Sequence, residues 1–571
     1  MLVVAVGVRA PALGDDPPWI ARGHYGMVAS DSAEASAIGA RVLEEGGNAF
    51  DAAVATSLAL TVARPQSTGI GGGGFLVAWL ADEKRAIALD FRESAPMAAT
   101  AERYARLAEF AGDGPSPSVY GGAAVGVPGL VAGLGHVHDR YGSREWVDLV
   151  SPAVDLAMRG VLVDEHLHEA IEDALKEADK WPSLRKDYAG LFGRFAPDGV
   201  VPSLGARIRR DDLARALRII AIRGGGAMRE GPLADAILRA IDKSGGIMMS
   251  ADLRDYVVKE REPVRISYHG CEIITMPPPS SGGVCAAITL RALEAVGDFK
   301  GDPQREMLAR VEAMKHGFAD RSRWLGDTDF AKAPVAFLLN QDYGARVSDA
   351  LKQSRTMKPE AYGTTEIKGS VGGAAKDDGG TSHFCIIDRA GNVVSMTETI
   401  NGGFGSFVVA EPYGIILNNE LDDFLTVRGA PNMFGLRQSE ANLIAPGKRP
   451  LSSMTPTIVL RDGRPILALG GSGGPRIISS TLHVLLNVIN DGASLEDALR
   501  RIRPHHQWAP DVVYFDEHPP TAMADAFSAF GHELSDERRK GVVQAIQIMP
   551  NGELIGGSDP RKGGRPVGVE R

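Results

Sequence analysis

Residues 376–388 read KDDGGTSHFCIID, and Thr381 stands where a glycine-ended polar stretch meets an apolar run. Phe384, Ile386 and Ile387 mark that run as a buried strand. A threonine hydroxyl is a poor nucleophile unless a base takes its proton, and one available base is the residue's own α-amine. That amine is free only if the Gly380–Thr381 peptide bond is cut. The stretch before it, 355–380, has few apolar residues and many glycines, as an exposed loop would. Such a loop is the setting a self-cleaving junction needs, although a threonine opening a strand is by itself only a strand residue. A second chemical feature is GGSGGPR at 470–476. Pro475 suits a helix start, which would set the Gly473 and Gly474 amides at a helix N-terminus, where backbone donors stabilise an anion. Donors so placed form an oxyanion hole.

Other chemistries are poorly served. Neither GIGGGG at 69–74 nor the 470–476 loop is followed by the Lys-Ser/Thr of a phosphate loop or the acidic residue of a dinucleotide fingerprint. The histidines of HLH (166–168) and HHQW (505–508) lack a third metal ligand nearby, so no metal is expected. No GxSxG elbow is present. Cys271, Cys285 and Cys385 have no CxxC spacing and read as small buried hydrophobes. With a net charge of −10 the chain has no basic face for nucleic acid. No apolar run is long enough to span a membrane. The N-terminus MLVVAVGVRAPALGDD has a short apolar stretch without basic residues before it, and reads equally as a clipped leader or a loose tail.

The elements that must position these residues follow from periodicity. The 571 residues, 44% hydrophobic and 23% charged, supply a sizeable core for a globular body. A helix is expected over 30–45 with Ser30 as its N-cap, and a second, small-residue helix over 49–62. STGIGGGGFLVAWL turns through glycines into a strand, and AIALDFRE pairs with it as a hairpin. Residues 150–260 read as mainly helical. Short strands are expected at 383–387, 392–397, 413–417, 457–460 and 466–469, with a helix at 476–490. Strands grouped between helical stretches predict packed sheets covered by helices. No clean domain boundary is visible.

Taken together, GGTSHFCIIDRAGNVVSMTETIN, GGNAFDAAVATSLALTVARPQSTGIGGGGF, DFRESAP, GVPGLVAGL, MPPPSSGG, ADRSRWLGD, GIILNNELDDF, KRPLSSMTPT, GGSGGPRII, HHQW and GGSDPR form an ordered series. It runs over most of the chain and resembles the gamma-glutamyltransferase (gamma-glutamyltranspeptidase, glutathione hydrolase) family. The resemblance implies an α+β fold, the four-layer αββα sandwich of N-terminal nucleophile hydrolases. It also implies a precursor that cuts itself before the catalytic threonine. Here that junction would be Gly380–Thr381, giving a large segment 1–380 (tail about 1–22, processing linker about 355–380) and a small catalytic segment 381–571, interwoven in one body.

By the same resemblance Thr381 matches the nucleophile, Thr399 the threonine that hydrogen-bonds its amine, and Gly473 and Gly474 the oxyanion donors. Arg92 matches the arginine that grips the substrate α-carboxylate, helped by Ser452 and Ser453. Asn401, Glu420 and Asp423 match the residues that hold the α-amino group. These residue types suit a zwitterion: a guanidinium binds a carboxylate through a fork of donors, and carboxylates accept from an ammonium. Phe434 stands where many members have a lid-loop tyrosine, and NGGFG at 401–405 departs from the threonine-containing form. The implied function is γ-glutamyl hydrolysis or transfer, from glutathione or a related donor to water or an amine acceptor, with no cofactor, no nucleic acid and no membrane span. The implied location is periplasmic or extracellular, the cytoplasm being the alternative. Two other readings remain: a glutaryl-type (cephalosporin) acylase of the same fold, and an unprocessed, inactive binding homologue.

Overall fold

A computed structural model describes residues 16–364 and 380–570, apart from Asp298 and Lys300. Two seven-stranded sheets form its centre. The first runs Val567–Val569, Gly26–Ser30, Gly380–Ile387, Val393–Asn401, Gly73–Leu80, Arg85–Asp90, Lys259–Arg261. The second runs Ile20–Gly23, Leu554–Ser558, Val542–Ile548, Arg464–Ser472, Thr457–Arg461, Cys271–Thr275, Val264–Tyr268. All neighbours in both sheets are antiparallel.

Every position of the Gly380–Ile387 strand is buried, because both of its faces are covered. Side chains alternate across a strand. Phe384 and Ile386 therefore join the core under helices Ala33–Glu44, Ala49–Ala63 and Trp146–Arg159. Cys385 and Ile387 face the second sheet and meet Ile458, Ala468 and Ile546. On that sheet's far side Val459, Leu467 and Leu469 pack beneath helices Gly282–Val296, Pro303–Trp324 and Arg476–Ile489. The order is helix, sheet, sheet, helix, the expected αββα arrangement. The small residues of 33–63 serve close packing: a Cβ on Gly39 would lie 2.2 Å from Thr56 Oγ1 of the next helix.

Several boundaries differ from the sequence expectation. Ser30 ends a strand, and Ser32 caps the first helix by accepting from the Ala35 amide at 3.3 Å. The strand expected at 383–387 begins at Gly380, and the one expected at 392–397 continues to Asn401. Within 413–417 only Ile415–Ile416 is strand. Ile20–Gly23, inside the expected tail, is an edge strand of the second sheet. Residues 1–15 of that tail and 365–379 of the expected linker lie outside the described residues. Among the described residues no helix is long and apolar enough to cross a membrane. The three cysteines are buried and unpaired.

Candidate active site

Thr381 sits at the end of the third strand of the first sheet, opposite Thr399, with an irregular register between Gly380 and Thr381. Thr399 Oγ1 donates to the Gly380 carbonyl at 2.6 Å and lies 3.0 Å from Thr381 Oγ1. A hydroxyl has one proton. With Thr399's proton on the Gly380 carbonyl, Thr381 is the donor between the two hydroxyls. Thr399 also accepts from the Asn401 amide at 2.8 Å, which fixes it from the other side. One hydroxyl thus polarises the carbonyl before Thr381 and orients the Thr381 side chain. Gly380 has no room for a side chain: a Cβ would lie 2.3 Å from Gly402 O.

Behind this pair, Glu398 points to the helical layer and accepts from Ser57 Oγ at 2.5 Å and Thr68 Oγ1 at 3.1 Å. Burial pushes its carboxyl up to about 8 against those two donors.

Arg92, Glu420 and Asp423 meet in a fully buried corner. The guanidinium pairs with Glu420 Oε1 and, at 2.6 Å, with Asp423 Oδ2, while its Nε donates to Pro450 O at 2.8 Å. Burial opposes the Arg92 charge, but Glu420 and Asp423 outweigh it and raise the guanidinium above its ordinary value. Burial likewise lifts both carboxyls, with Arg92 pulling them down. The residues that the resemblance assigns to opposite ends of a zwitterion therefore pair with one another here, leaving Glu420 Oε2 buried without a hydrogen-bond partner among the described residues. Asn432 Nδ2 donates to Asp423 Oδ1 at 3.0 Å. Asn401, at φ +73, donates from Nδ2 to Asn419 O at 3.0 Å.

Ser452 is tied by its amide to Pro279 O at 2.8 Å, and its hydroxyl accepts from the Met454 amide at 3.1 Å. Gly473 and Gly474 follow the Arg464–Ser472 strand with φ +120 and +58, a region that side-chain-bearing residues rarely adopt, and lead through Pro475 into the Arg476–Ile489 helix. Phe434 is buried against this turn: a Cβ on Gly474 would come within 3.0 Å of its ring.

Thr381, Thr399, Arg92, Asn401, Glu420, Asp423, Phe434, Ser452, Ser453 and Gly474 all line one cavity of about 20 Å³. That is room for roughly one water. Gly473 adjoins it through Gly474. Gly380 opens instead on a neighbouring cavity of about 320 Å³, whose wall includes Gln66, Tyr120, His166, Lys540 and Lys562. Sequence reasoning missed three contributors. Asp422 accepts from Ser118 Oγ at 2.6 Å and from the Met433 amide at 2.7 Å, pinning the Phe434 loop. The others are Asn432 and Lys562. Asp422 was visible inside the ELDD motif, but no spacing in the chain links 562 to 381.

The gamma-glutamyltranspeptidase family profile matches residues 35–569. A glutathione hydrolase proenzyme from Pseudomonas sp. (strain A14) is 38% identical over 96% of this chain and 91% of its own length. An acylase ACY 1 proenzyme from Pseudomonas sp. (strain SE83) is 36% identical over 96% of this chain and 94% of its own. Among solved structures, a cephalosporin acylase from Bacillus halodurans superposes with a TM-score of 0.85 at 26% identity, covering all of both chains.

Proposed function

The chain belongs to the gamma-glutamyltranspeptidase family, and on that premise we propose that it is a self-processing γ-glutamyl hydrolase or transferase with Thr381 as its nucleophile. The observation that carries this reading is the convergence of a hydroxyl pair and an Arg–Glu–Asp corner on one cavity. A nucleophile alone fits any acyl transfer. A buried cation beside two buried carboxylates fits an amino-acid head group.

In the precursor, Thr381 Oγ attacks the Gly380 carbonyl carbon, which Thr399 polarises. The tetrahedral intermediate collapses by breaking the Gly380 C–Thr381 N bond, the hydroxyl proton passing to that nitrogen, and leaves an ester between Gly380 and Thr381 Oγ. Water hydrolyses that ester, freeing the Gly380 carboxylate and the Thr381 amine. Segments 1–380 and 381–571 then stay together as one body. In turnover the amine takes the Thr381 hydroxyl proton as Oγ attacks the γ-carbonyl of the donor. The oxyanion is met by the Gly473 and Gly474 amides, which stand just before the Arg476–Ile489 helix. The proton passes to the departing amine, leaving a γ-glutamyl ester on Thr381. Water or an acceptor amine releases it.

Arg92, with Ser452 and Ser453, takes the substrate α-carboxylate, and Asn401, Glu420 and Asp423 take its ammonium. The small cavity means the substrate enters by exchanging partners: its carboxylate replaces the two acids on Arg92, and its ammonium replaces Arg92 on them. Phe434 closes the pocket by packing rather than by a hydroxyl. Glutathione and related γ-glutamyl compounds are the donors, and a periplasmic or extracellular location goes with that reading of the family.

The acylase resemblance favours a second reading, glutaryl side-chain cleavage at the same threonine. The retained Glu420 and Asp423 speak against it, since a glutaryl group has no ammonium to satisfy them. Release of the aniline from a γ-glutamyl anilide, with and without a dipeptide acceptor, tests the proposal. Wild-type protein should react and Thr381→Ala should not. A wild-type protein inert on this substrate would overturn the reading.

A further inference from the structure

Lys562 lies 181 residues from Thr381 in sequence and against it in space. Its Nζ donates to Thr381 O at 2.7 Å and to Ser472 Oγ at 3.2 Å, and pairs with Asp31 Oδ2 at 2.8 Å. Both charged side chains are 1% exposed, so this is a built, buried contact and not a passing surface pair. The strand edge explains the need for it. Gly26–Ser30 pairs with the nucleophile strand only from Phe384 onward, so the Thr381 end runs past its neighbour. A lysine ammonium supplies a donor there. Glycine at 564 lets the C-terminal segment reach this place, since a Cβ would meet Ser30 O at 2.3 Å. Ser472 is the last residue of its strand, immediately before Gly473.

We propose that Lys562 is a positioning residue that fastens Thr381 to the start of the Gly473–Gly474 turn and, after the Gly380–Thr381 bond is cut, holds a cation beside the new α-amine. The amine nitrogen and the carbonyl oxygen belong to one residue, which places Nζ within about 6 Å of that nitrogen. A like charge at this distance disfavours the ammonium form of the amine. The amine is then neutral, and so able to act as a base, at lower pH than it would be without Lys562. Asp31 moderates the effect by pairing with the lysine.

Other charged groups around Thr381 and its lysine include Arg92, Glu420 and Asp423 across the small cavity, His383 on its own strand, Glu398 behind Thr399, and Arg64, whose guanidinium donates to Asp31 O and Lys562 O. His166, Lys540 and Arg561 lie on the Gly380 side. Lys562 is tied directly to the Thr381 main chain, donating to its carbonyl at 2.7 Å. The inference rests on the reading of Thr381 as the N-terminal nucleophile, and the test separates the two.

The experiment is the pH profile of kcat/KM on a γ-glutamyl anilide, which reports the ionisations of the free enzyme. Wild type is compared with Lys562→Met, Lys562→Arg and Asp31→Asn, after a denaturing gel has established processing of each. In Lys562→Met the acid limb should move up by about one pH unit, with kcat down roughly tenfold or more and KM within about threefold. Lys562→Arg should keep the wild-type limb. Asp31→Asn, which leaves the lysine uncompensated, should move the limb down. Opposite shifts from the two partners of one ion pair are what a merely structural role would not produce. If Lys562→Met cannot fold, the downward shift in Asp31→Asn decides alone. An acid limb unmoved in Lys562→Met and Asp31→Asn overturns the proposal while leaving the nucleophile standing. An unprocessed or inert wild type overturns the nucleophile reading instead.

Discussion

Arg92 is the residue whose surroundings say most about its task. It is enclosed with two carboxylates and two main-chain carbonyls, Pro450 and Leu451. Arg92→Lys keeps the charge and loses the planar fork. Loss of such charge-assisted bonds costs about 2–4 kcal/mol. We expect KM for a γ-glutamyl anilide to rise sharply, with self-cleavage intact on a denaturing gel. An unchanged KM would make Arg92 structural. Glu398 offers a separate check on electrostatics. Its folded value is raised to about 8 from an ordinary carboxyl value near 4.5, so its contribution to stability is fully present below pH 4.5 and is lost as pH rises towards 8. The stability of Glu398→Gln relative to wild type should therefore grow from pH 4.5 to 8, by about 1–3 kcal/mol at pH 7 in denaturant titrations. A flat difference would mean that Glu398 is not held protonated. At this scale the sequence was legible where a residue type was odd for its place, as with Thr381 after its glycines. It was opaque where a partner is distant in the chain, as with Lys562 and Asn432, because side-chain contact depends on the tertiary path and not on spacing.

The elements were read well in their interiors and less well at their ends. The hairpin Gly73–Leu80/Arg85–Asp90 and the helices Ala49–Ala63 and Arg476–Ile489 lie where the glycine turn, the run of small residues and the Pro475 helix start place them. Two serines flank Asp31, and sequence alone does not separate them as caps; the backbone keeps Ser30 in a strand and makes Ser32 the N-cap. The Gly380–Ile387 strand begins three residues before the expected start at 383, since Thr381 and Ser382 are polar yet paired with Thr399 and Glu398. The Gly473–Gly474 turn was legible in outline. Its positive φ values and its contact with Phe434 were not. That contact predicts a measurable effect. Gly474→Ala must hold an alanine at φ +58 and press its methyl on the Phe434 ring. The left-handed conformation alone costs about 1–2 kcal/mol. We expect kcat to fall about tenfold or more with a smaller change in KM, and Gly474→Ala/Phe434→Ala to recover part of it. A Gly474→Ala enzyme with wild-type kcat would remove this turn from the oxyanion assignment.

For the whole molecule, the two segments flanking Gly380–Thr381 are not separate bodies. In the first sheet, strands Gly380–Ile387 and Val393–Asn401 lie between Gly26–Ser30 and Gly73–Leu80; in the second, Thr457–Arg461 pairs with Cys271–Thr275. Cutting one peptide bond leaves these ladders and all three main cores intact. The cleaved protein should elute from size exclusion as a single species containing both fragments, and separate only in denaturant. Fragments that part under native conditions would contradict this. The absence of a visible domain boundary in the sequence has the same cause: strands from both segments share each sheet, so no composition break marks a border. The four-layer order itself was not written in any one stretch. It emerged from the family resemblance, because strand pairing between residues several hundred positions apart leaves no local periodic signal.

The central claim is that the corner of Arg92, Glu420 and Asp423 reads an amino-acid head group presented to Thr381. A γ-glutamyl anilide and a glutaryl anilide share the scissile bond and differ in the α-amino group. A glutaryl group would leave Glu420 and Asp423 buried without their ammonium, and a site built for a polar group rejects analogues that lack it. The decisive measurement is the ratio of kcat/KM on the two anilides for the processed wild-type protein. The account predicts at least about a hundredfold preference for the γ-glutamyl compound, roughly 2.7 kcal/mol, and a smaller ratio in Asp423→Ala through loss on that compound. Equal rates on both anilides would contradict it and put the acylase reading first.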